Sequence, residues 1–219
     1  NPYSNLIIES DAVIDSLFVD GEEVGKLFIS PKIVAKQDKI DLSGALLYKG
    51  IRTFNFGGNY SIPTEKLNVY LNFDKTDIRF ANAFLDPELV SDINGKLNGL
   101  VYVTGNISNP QLAGRLNLTN GSALVGLTGV KYRINGPIAI KKDVFEINYI
   151  PVLDDEGNEA RLTATVNHQN FSNFNYEVQF DFESDLKGVN NLNRLMVLNT
   201  KYKEGESYYG KAYGKGTLN

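Results

Sequence analysis

The stretch Ile93–Leu118, INGKLNGLVYVTGNISNPQLAGRLNL, decides how the rest of the chain is read. Leu97, Val101, Val103 and Ile107, then Leu112, Leu116 and Leu118, keep an apolar spacing of two. Period two is the mark of a β-strand with one covered and one wet face. Asn109-Pro110 lies between the two runs; Pro offers no N–H to a ladder and Asn accepts turn geometry, so the pair predicts the turn. The unit is strand, tight turn, strand.

A shorter signature recurs inside it. Ile93-Asn-Gly95-Lys-Leu97, Leu112-Ala-Gly114-Arg-Leu116, Leu42-Ser-Gly44-Ala-Leu46 and Ile134-Asn-Gly136-Pro-Ile138 share one form, and Leu162-Thr-Ala164-Thr-Val166 repeats it with Ala. The small residue shares a face with its apolar flanks. Glycine within a strand marks a bend, a bulge or a close approach, so a curved sheet is expected.

Working outward, Leu6 and Ile8, Val13–Val19, Leu27–Ile29, Ile40–Leu46, Phe54–Ile62 and Leu67–Phe73 read as strands. Residues 78–92 break the alternation. Phe80, Phe84 and Leu85 are spaced as on a helix, and Asp86-Pro87-Glu88 suits a helical first turn, so a short helical insert is expected there. Further strands are expected at Ala123–Leu127, Tyr132–Ile140, Phe145–Tyr149, Leu162–Val166, Leu195–Leu198 and Tyr208–Tyr213. The run Phe174-Asn-Tyr176-Glu-Val178-Gln-Phe180-Asp-Phe182-Glu alternates without error. Short turns between so many strands favour an antiparallel meander. The pattern leaves open a sandwich, a barrel or one long sheet folded along its length.

Composition agrees with an all-β chain. Its 219 residues include 20 Gly, 12 Tyr and 12 Phe, with one Met, one His and no Trp, a bias that suits strands and turns. Net charge is −4 with the signs interspersed, so the sequence gives no electrostatic footprint for nucleic acid. Cysteine is absent, which excludes disulfides, zinc thiolates and a cysteine nucleophile. No apolar run reaches the ~20 residues of a spanning helix. Because the first residue is Asn1, the chain reads as a segment of a longer protein, with any anchor outside it.

Candidate chemistry is sparse. His168 stands without a nucleophile motif, and a Ser–His–Asp triad needs a base within reach of both partners. It reads as a turn or strand-end histidine. Asp154-Asp155-Glu156-Gly157-Asn158 offers oxygen ligands without EF-hand spacing and reads as a solvated hairpin tip. Gly205–Ala212 nearly spells a phosphate-binding loop, but Ala212 lacks the magnesium-binding hydroxyl and no helix pattern follows. No feature argues for an enzyme, a cofactor or a metal.

Set out in order, the motifs resemble those of a known family. Gly105, Asn109, Pro110 and Gly114 are similar to the repeat core of the TamB family, the translocation and assembly module of diderm bacteria. Leu195-Met-Val-Leu198-Asn-Thr200, then Tyr208-Tyr-Gly210-Lys-Ala212-Tyr213 and Gly216, resemble its C-terminal hallmark, and His168 and Phe171 fall where members often carry a His and an aromatic. The match covers about residues 84–219, and Ala164 replaces a more usual Gly. The abundant Asn, Tyr and Lys fit a Bacteroidota source.

The resemblance implies an elongated, curved antiparallel sheet folded lengthwise, a β-taco, with an open apolar groove. Residues 1–77 would form a sheet segment continuous with the next, 78–92 the helical insert, and 93–219 the C-terminal-type β domain. It implies a periplasmic protein tethered to the inner membrane by a helix outside this segment. Its expected partners are phospholipid acyl chains, an Omp85-type outer-membrane barrel of the TamA or BamA kind, and outer-membrane client proteins. The expected groove lining is Leu42, Leu46, Leu67, Val69, Leu71, Phe73, Leu97, Val101, Val103, Leu112, Leu116, Leu118, Phe174, Tyr176, Val178, Phe180 and Phe182. Tyr208, Tyr209 and Tyr213 are the expected docking residues for the barrel. Three other readings stand beside this one: a closed sandwich scaffold, a binder of client β-strands, and a transmembrane barrel.

Overall fold

The computed structural model describes residues 6–19, 22–34, 38–83, 88, 90–126, 128–169, 172–181, 195–200, 210–214 and 217–218. The strands are β1 (Ile7–Glu9), β2 (Ala12–Val19), β3 (Glu22–Val34), β4 (Lys39–Tyr48), β5 (Ile51–Ser61), β6 (Lys66–Asp77), β7 (Val90–Asn106), β8 (Asn109–Val125), β9 (Val130–Lys141), β10 (Val144–Leu153), β11 (Glu159–Gln169) and β12 (Ser172–Asp181). They are followed by β13 (Leu195–Thr200), β14 (Gly210–Gly214) and β15 (Thr217–Leu218). Among the described residues, 13 strands make one antiparallel sheet, in the order β1-β3-β4-β5-β6-β7-β8-β9-β10-β11-β12-β15, with β2 beside β1 on the outer edge of β3. β13 and β14 form a separate two-stranded sheet. The large sheet is not closed into a barrel, since its path ends on β1 and β15.

The hairpins set the register. In the β7–β8 hairpin the turn falls on Ile107-Ser108, not on Asn109-Pro110 as the sequence suggested. Asn106 Oδ1 accepts the Ser108 N–H at 2.9 Å and its hydroxyl at 2.7 Å, and Gly105 takes a φ of +91° that favours glycine. Asn109 and Pro110 then lie in the ladder opposite Asn106 and Gly105. Ile107 sits on the hairpin tip, 59% exposed, and leaves the apolar alternation. β8 also runs unbroken to Val125, so the separate strand expected at Ala123–Leu127 is its continuation.

The helical insert expected over 78–92 is a 3₁₀ segment over Ile78–Ala83. Among the described residues there is no α-helix. Phe84, Leu85 and Asp86-Pro87 of the expected helix lie outside the described residues. Val90 and Ser91 are strand, paired with Val125 and Leu124. The strand pairing of Val90 and Ser91 satisfies their backbone groups and ends any helical insert before them.

Cross-strand partners share a face, so the register can be read as rows. One row runs Ile29–Gly44–Phe56–Leu71–Val101–Gly114–Ile140–Phe145–Val166, from β3 to β11. Its neighbour runs Pro31–Leu42–Gly58–Val69–Val103–Leu112. A third row carries Phe73–Gly99–Leu116–Ile138. The opposite face reads Asn55–Asn72–Leu100–Arg115–Ala139–Glu146–Thr165 in the same direction. One face is therefore apolar across nine strands and the other largely polar.

The recurrent small residues are places where a neighbour lies flat. A Cβ on Gly44 would collide with the Phe28 carbonyl oxygen and then with the Phe56 ring, and one on Gly114 with the Leu100 carbonyl oxygen. Both glycines bring two backbones together. Gly114→Val should therefore cost roughly 2–4 kcal/mol in urea unfolding, since main chain rather than a side chain must move. Gly50→Asn, at φ +77° with nothing within 4 Å, should stay within about 0.5 kcal/mol of the parent. Equal effects at the two positions would refute this account of the repeat.

Candidate functional site

The apolar face carries the residues singled out from the sequence. By register, Leu42, Leu46, Leu67, Val69, Leu71, Phe73, Leu97, Val101, Val103, Leu112, Leu116 and Leu118 all lie on it. Val101, Leu112, Leu116 and Leu46 are buried, while Leu42, Leu67, Val69, Leu71, Phe73, Leu97, Val103 and Leu118 are half-buried. Phe54 and Phe73 meet tilted across the β5–β6 ladder, with ring centroids 5.5 Å apart. Val178 is exposed and Phe180 half-buried on β12. Phe174 and Tyr176 are described only as positions in β12, and Phe182, Tyr208 and Tyr209 lie outside the described residues.

Two packed clusters divide this face. Val101, Leu112, Leu116 and Ile140 draw in Leu71, Phe73, Leu97, Val103, Ile138 and Phe145. Every member comes from β6 to β10, strands that are already neighbours in the sheet. Among the described residues of β2 to β5, Phe54 reaches it through the Phe73 ring. This cluster packs laterally along one face of the sheet.

The second cluster is different. Val130, Tyr132, Ile150, Val152, Ala160 and Leu162 from β9 to β11 are covered by Leu195 and Met196 of β13, both fully buried. Removing a side chain of that size from water is worth about 2 kcal/mol. Tyr132 and Phe180, three strands apart in the sheet, bring their rings to 6.2 Å, so the sheet curls tightly here. The β13–β14 sheet closes this end of the apolar face.

Asp154 is the residue whose role was not read from the sequence. The acidic turn was expected to be a solvated tip, yet Asp154 is fully buried. Its carboxylate accepts the backbone N–H groups of Glu156 and Asn158 at 2.9 Å each, the Asn158 side-chain amide at 2.7 Å and the Met196 N–H at 2.8 Å. The first three shape the turn, and the fourth holds β13 from 42 residues away. A carboxylate with this many donors tolerates burial. The Tyr132 hydroxyl donates to the Met196 carbonyl at 2.8 Å, and the Asn199 N–H to the Thr128 carbonyl at 2.7 Å. Glu156 receives Lys211 Nζ and the Tyr213 hydroxyl, each at 2.6 Å. Both donors come from β14, and they hold the Glu156 carboxyl below its ordinary range. Tyr213, expected as a docking residue, thus bonds to the acidic turn.

Comparisons with protein-family models, curated proteins and solved structures find no match. The chemistry of the site must therefore be argued from its own residues. Among the described residues no group of His, Asp and Glu is arranged to hold a metal ion, and no helix is long and apolar enough to cross a membrane. His168 is buried, its ring tilted against Phe145 with centroids 4.7 Å apart, and its backbone N–H donates to the Asp143 carbonyl at 2.9 Å. It borders a polar cavity of about 620 Å³ at the β9–β10 and β11–β12 hairpins.

Two outcomes are expected for the closed end. Asp154→Ala leaves the Met196 N–H without its acceptor in a dry site and should cost about 3 kcal/mol. Hydrogen exchange at Met196 and Asn199 should accelerate while Val101 keeps its protection; acceleration of all three together would show that the hairpin is not a separately docked unit. Glu156 has a folded-state pKa below its unfolded value. Its contribution is complete above about pH 4.5, the ordinary value, and is lost as pH falls through the depressed pKa. Exchange at Lys211 and Tyr213 should rise over that acid range, and Glu156→Gln should abolish the pH dependence.

Proposed function

We propose that the chain is a non-catalytic groove protein that carries phospholipid acyl chains along its apolar face. The observation that carries this reading is the long apolar face on which one row, Leu42, Val69 and Val103, stays half-buried beside the buried Val101, Leu112 and Leu116. Each methylene laid against such a wall gains about 0.8 kcal/mol, so ten give roughly 8 kcal/mol. That is enough to hold a lipid tail out of water. Walls of uniform Leu, Val and Phe offer few polar wells, which leaves the tail free to slide.

With the motif resemblance, the reading places the protein in the TamB family. It works in the periplasm between inner and outer membrane, tethered by a helix outside this chain and meeting an Omp85-type barrel through its C-terminal end. One observation favours a second use, in the assembly of outer-membrane proteins. Among the described residues β12 has a ladder partner on its outer side only at Phe180 and Asp181. An extended client strand could pair with the remainder of that edge.

Purified protein should yield phospholipid on mass spectrometry of an organic extract. The double variant Val69→Glu/Val103→Glu places two carboxylates on the half-buried wall and should lower bound lipid at least about tenfold, because a buried unpaired charge costs more than one tail methylene gains. Val69 and Val103 face each other across the β6–β7 ladder, so the two carboxylates also repel and lower the urea midpoint. Bound lipid is therefore compared per folded protein, at a temperature where circular dichroism shows both proteins folded. A lipid-free parent protein, or a variant that binds as much as the parent, would overturn the proposal.

A further inference from the structure

At the end of the sheet that β13 and β14 close, a second feature covers the apolar face nearer to β4 and β5. The 3₁₀ segment packs on β7 and reaches β3, and Ile78 lies over Gly95. Between this segment and the β4–β5 hairpin opens a cavity of about 610 Å³. It is none of the surfaces considered above.

Its lining is cationic and apolar. Lys49 and Gly50 form the hairpin tip, both with positive φ, while Tyr48 pairs with Ile51. Lys49 Nζ stands 5.2 Å from the Tyr48 ring centroid. Neither Lys49 nor Arg52 makes an ion pair with a described residue. The one carboxylate in the wall, Asp77, is already engaged. It receives Arg79 Nε at 2.9 Å and Nη2 at 2.8 Å, the Arg79 N–H at 3.0 Å and Lys96 Nζ at 2.8 Å. Those bonds, the Arg79 ones first, hold its carboxyl far below the usual range, so it stays ionised and neutralised. The cavity is left with surplus positive charge on Lys49 and Arg52.

The cavity also adjoins the apolar face. Thr53 lines it and is buried, and its carbonyl accepts the Thr76 hydroxyl. Thr76 shares a row with Leu97 and Leu118, and Phe54, next to Thr53, packs on Phe73. Ile51 and Phe80 supply the apolar wall.

We infer that this cavity binds the phosphate of an anionic phospholipid head group, seating the head at the covered end while its tails lie on the Phe54–Phe73 side. The inference rests on the lipid-carrying reading above. Arg52 presents a planar fork of donors suited to phosphate oxygens, and Lys49 a mobile point charge. A zwitterionic head would set its own cation against both.

The protein is incubated with vesicles of phosphatidylglycerol and phosphatidylcholine in equal parts, repurified, and its bound lipid counted by mass spectrometry. The parent should be enriched in phosphatidylglycerol roughly two- to fivefold, the scale of an exposed ion pair, and added salt should erode the preference. Lys49→Gln/Arg52→Gln should load the same total lipid without enrichment. Both residues are exposed, so this variant keeps the fold, and Arg52→Lys should retain part of the preference. A parent without preference, or a variant that keeps it, overturns the head-group assignment while leaving lipid carriage intact. Absence of any bound lipid overturns both. Titration with inorganic phosphate alone, followed on the Arg52 side-chain NMR signals, separates the sources: saturation at micromolar phosphate would identify a free-phosphate site and contradict the assignment.

Discussion

The fold depends on ladders that, between their β-bulges, keep one apolar row continuous across nine strands while side chains alternate with period two. A slip of one residue in any ladder would turn that strand's apolar set to the wet face. The hairpins prevent it, through the Asn106 side chain bonded to Ser108 and the Lys49-Gly50 turn at positive φ. Leu71, Val101 and Ile140 therefore come to share one row though 69 residues separate the first from the last. The apolar face is a consequence of local turn chemistry multiplied by alternation.

A face of this length meets a difficulty at its ends, where strands stop and side chains would fray into water. At one end the chain adds cover. Leu195 and Met196 fill the space over β9 to β11, and Asp154 ties the cover to the turn beneath it. The central rows mix buried Val101, Leu112 and Leu116 with half-buried Val69, Leu71 and Val103. The contrast between fully buried Val152 and half-buried Val69 on the same face is the physical basis for treating the centre as a place for a ligand.

Much of this was legible in the residues. The run Leu67-Asn-Val69-Tyr-Leu71-Asn-Phe73 alternates so cleanly that its face could be assigned directly, and the antiparallel meander followed from short turns. The hairpin tip at Ile107-Ser108 was misplaced by two residues because Pro110 looked decisive, whereas a strand's first residues tolerate a proline. The end of the insert at 92 was set too late because the partner of Val90 lies 35 residues away at Val125. Asp154 could not be read at all. Its burial depends on Met196 arriving from a distant strand, and an acidic turn looks the same in sequence whether water or a backbone N–H occupies its oxygens.

The central claim is that the apolar face, and not the polar one, meets acyl chains. The chain has no tryptophan, so a single introduced indole reports without background. Leu71→Trp and Asn72→Trp place it on opposite faces of the same strand. With phospholipid brominated along its acyl chains, the account predicts strong fluorescence quenching at position 71 and little at position 72. Equal quenching at the two positions, or none at 71, would contradict it.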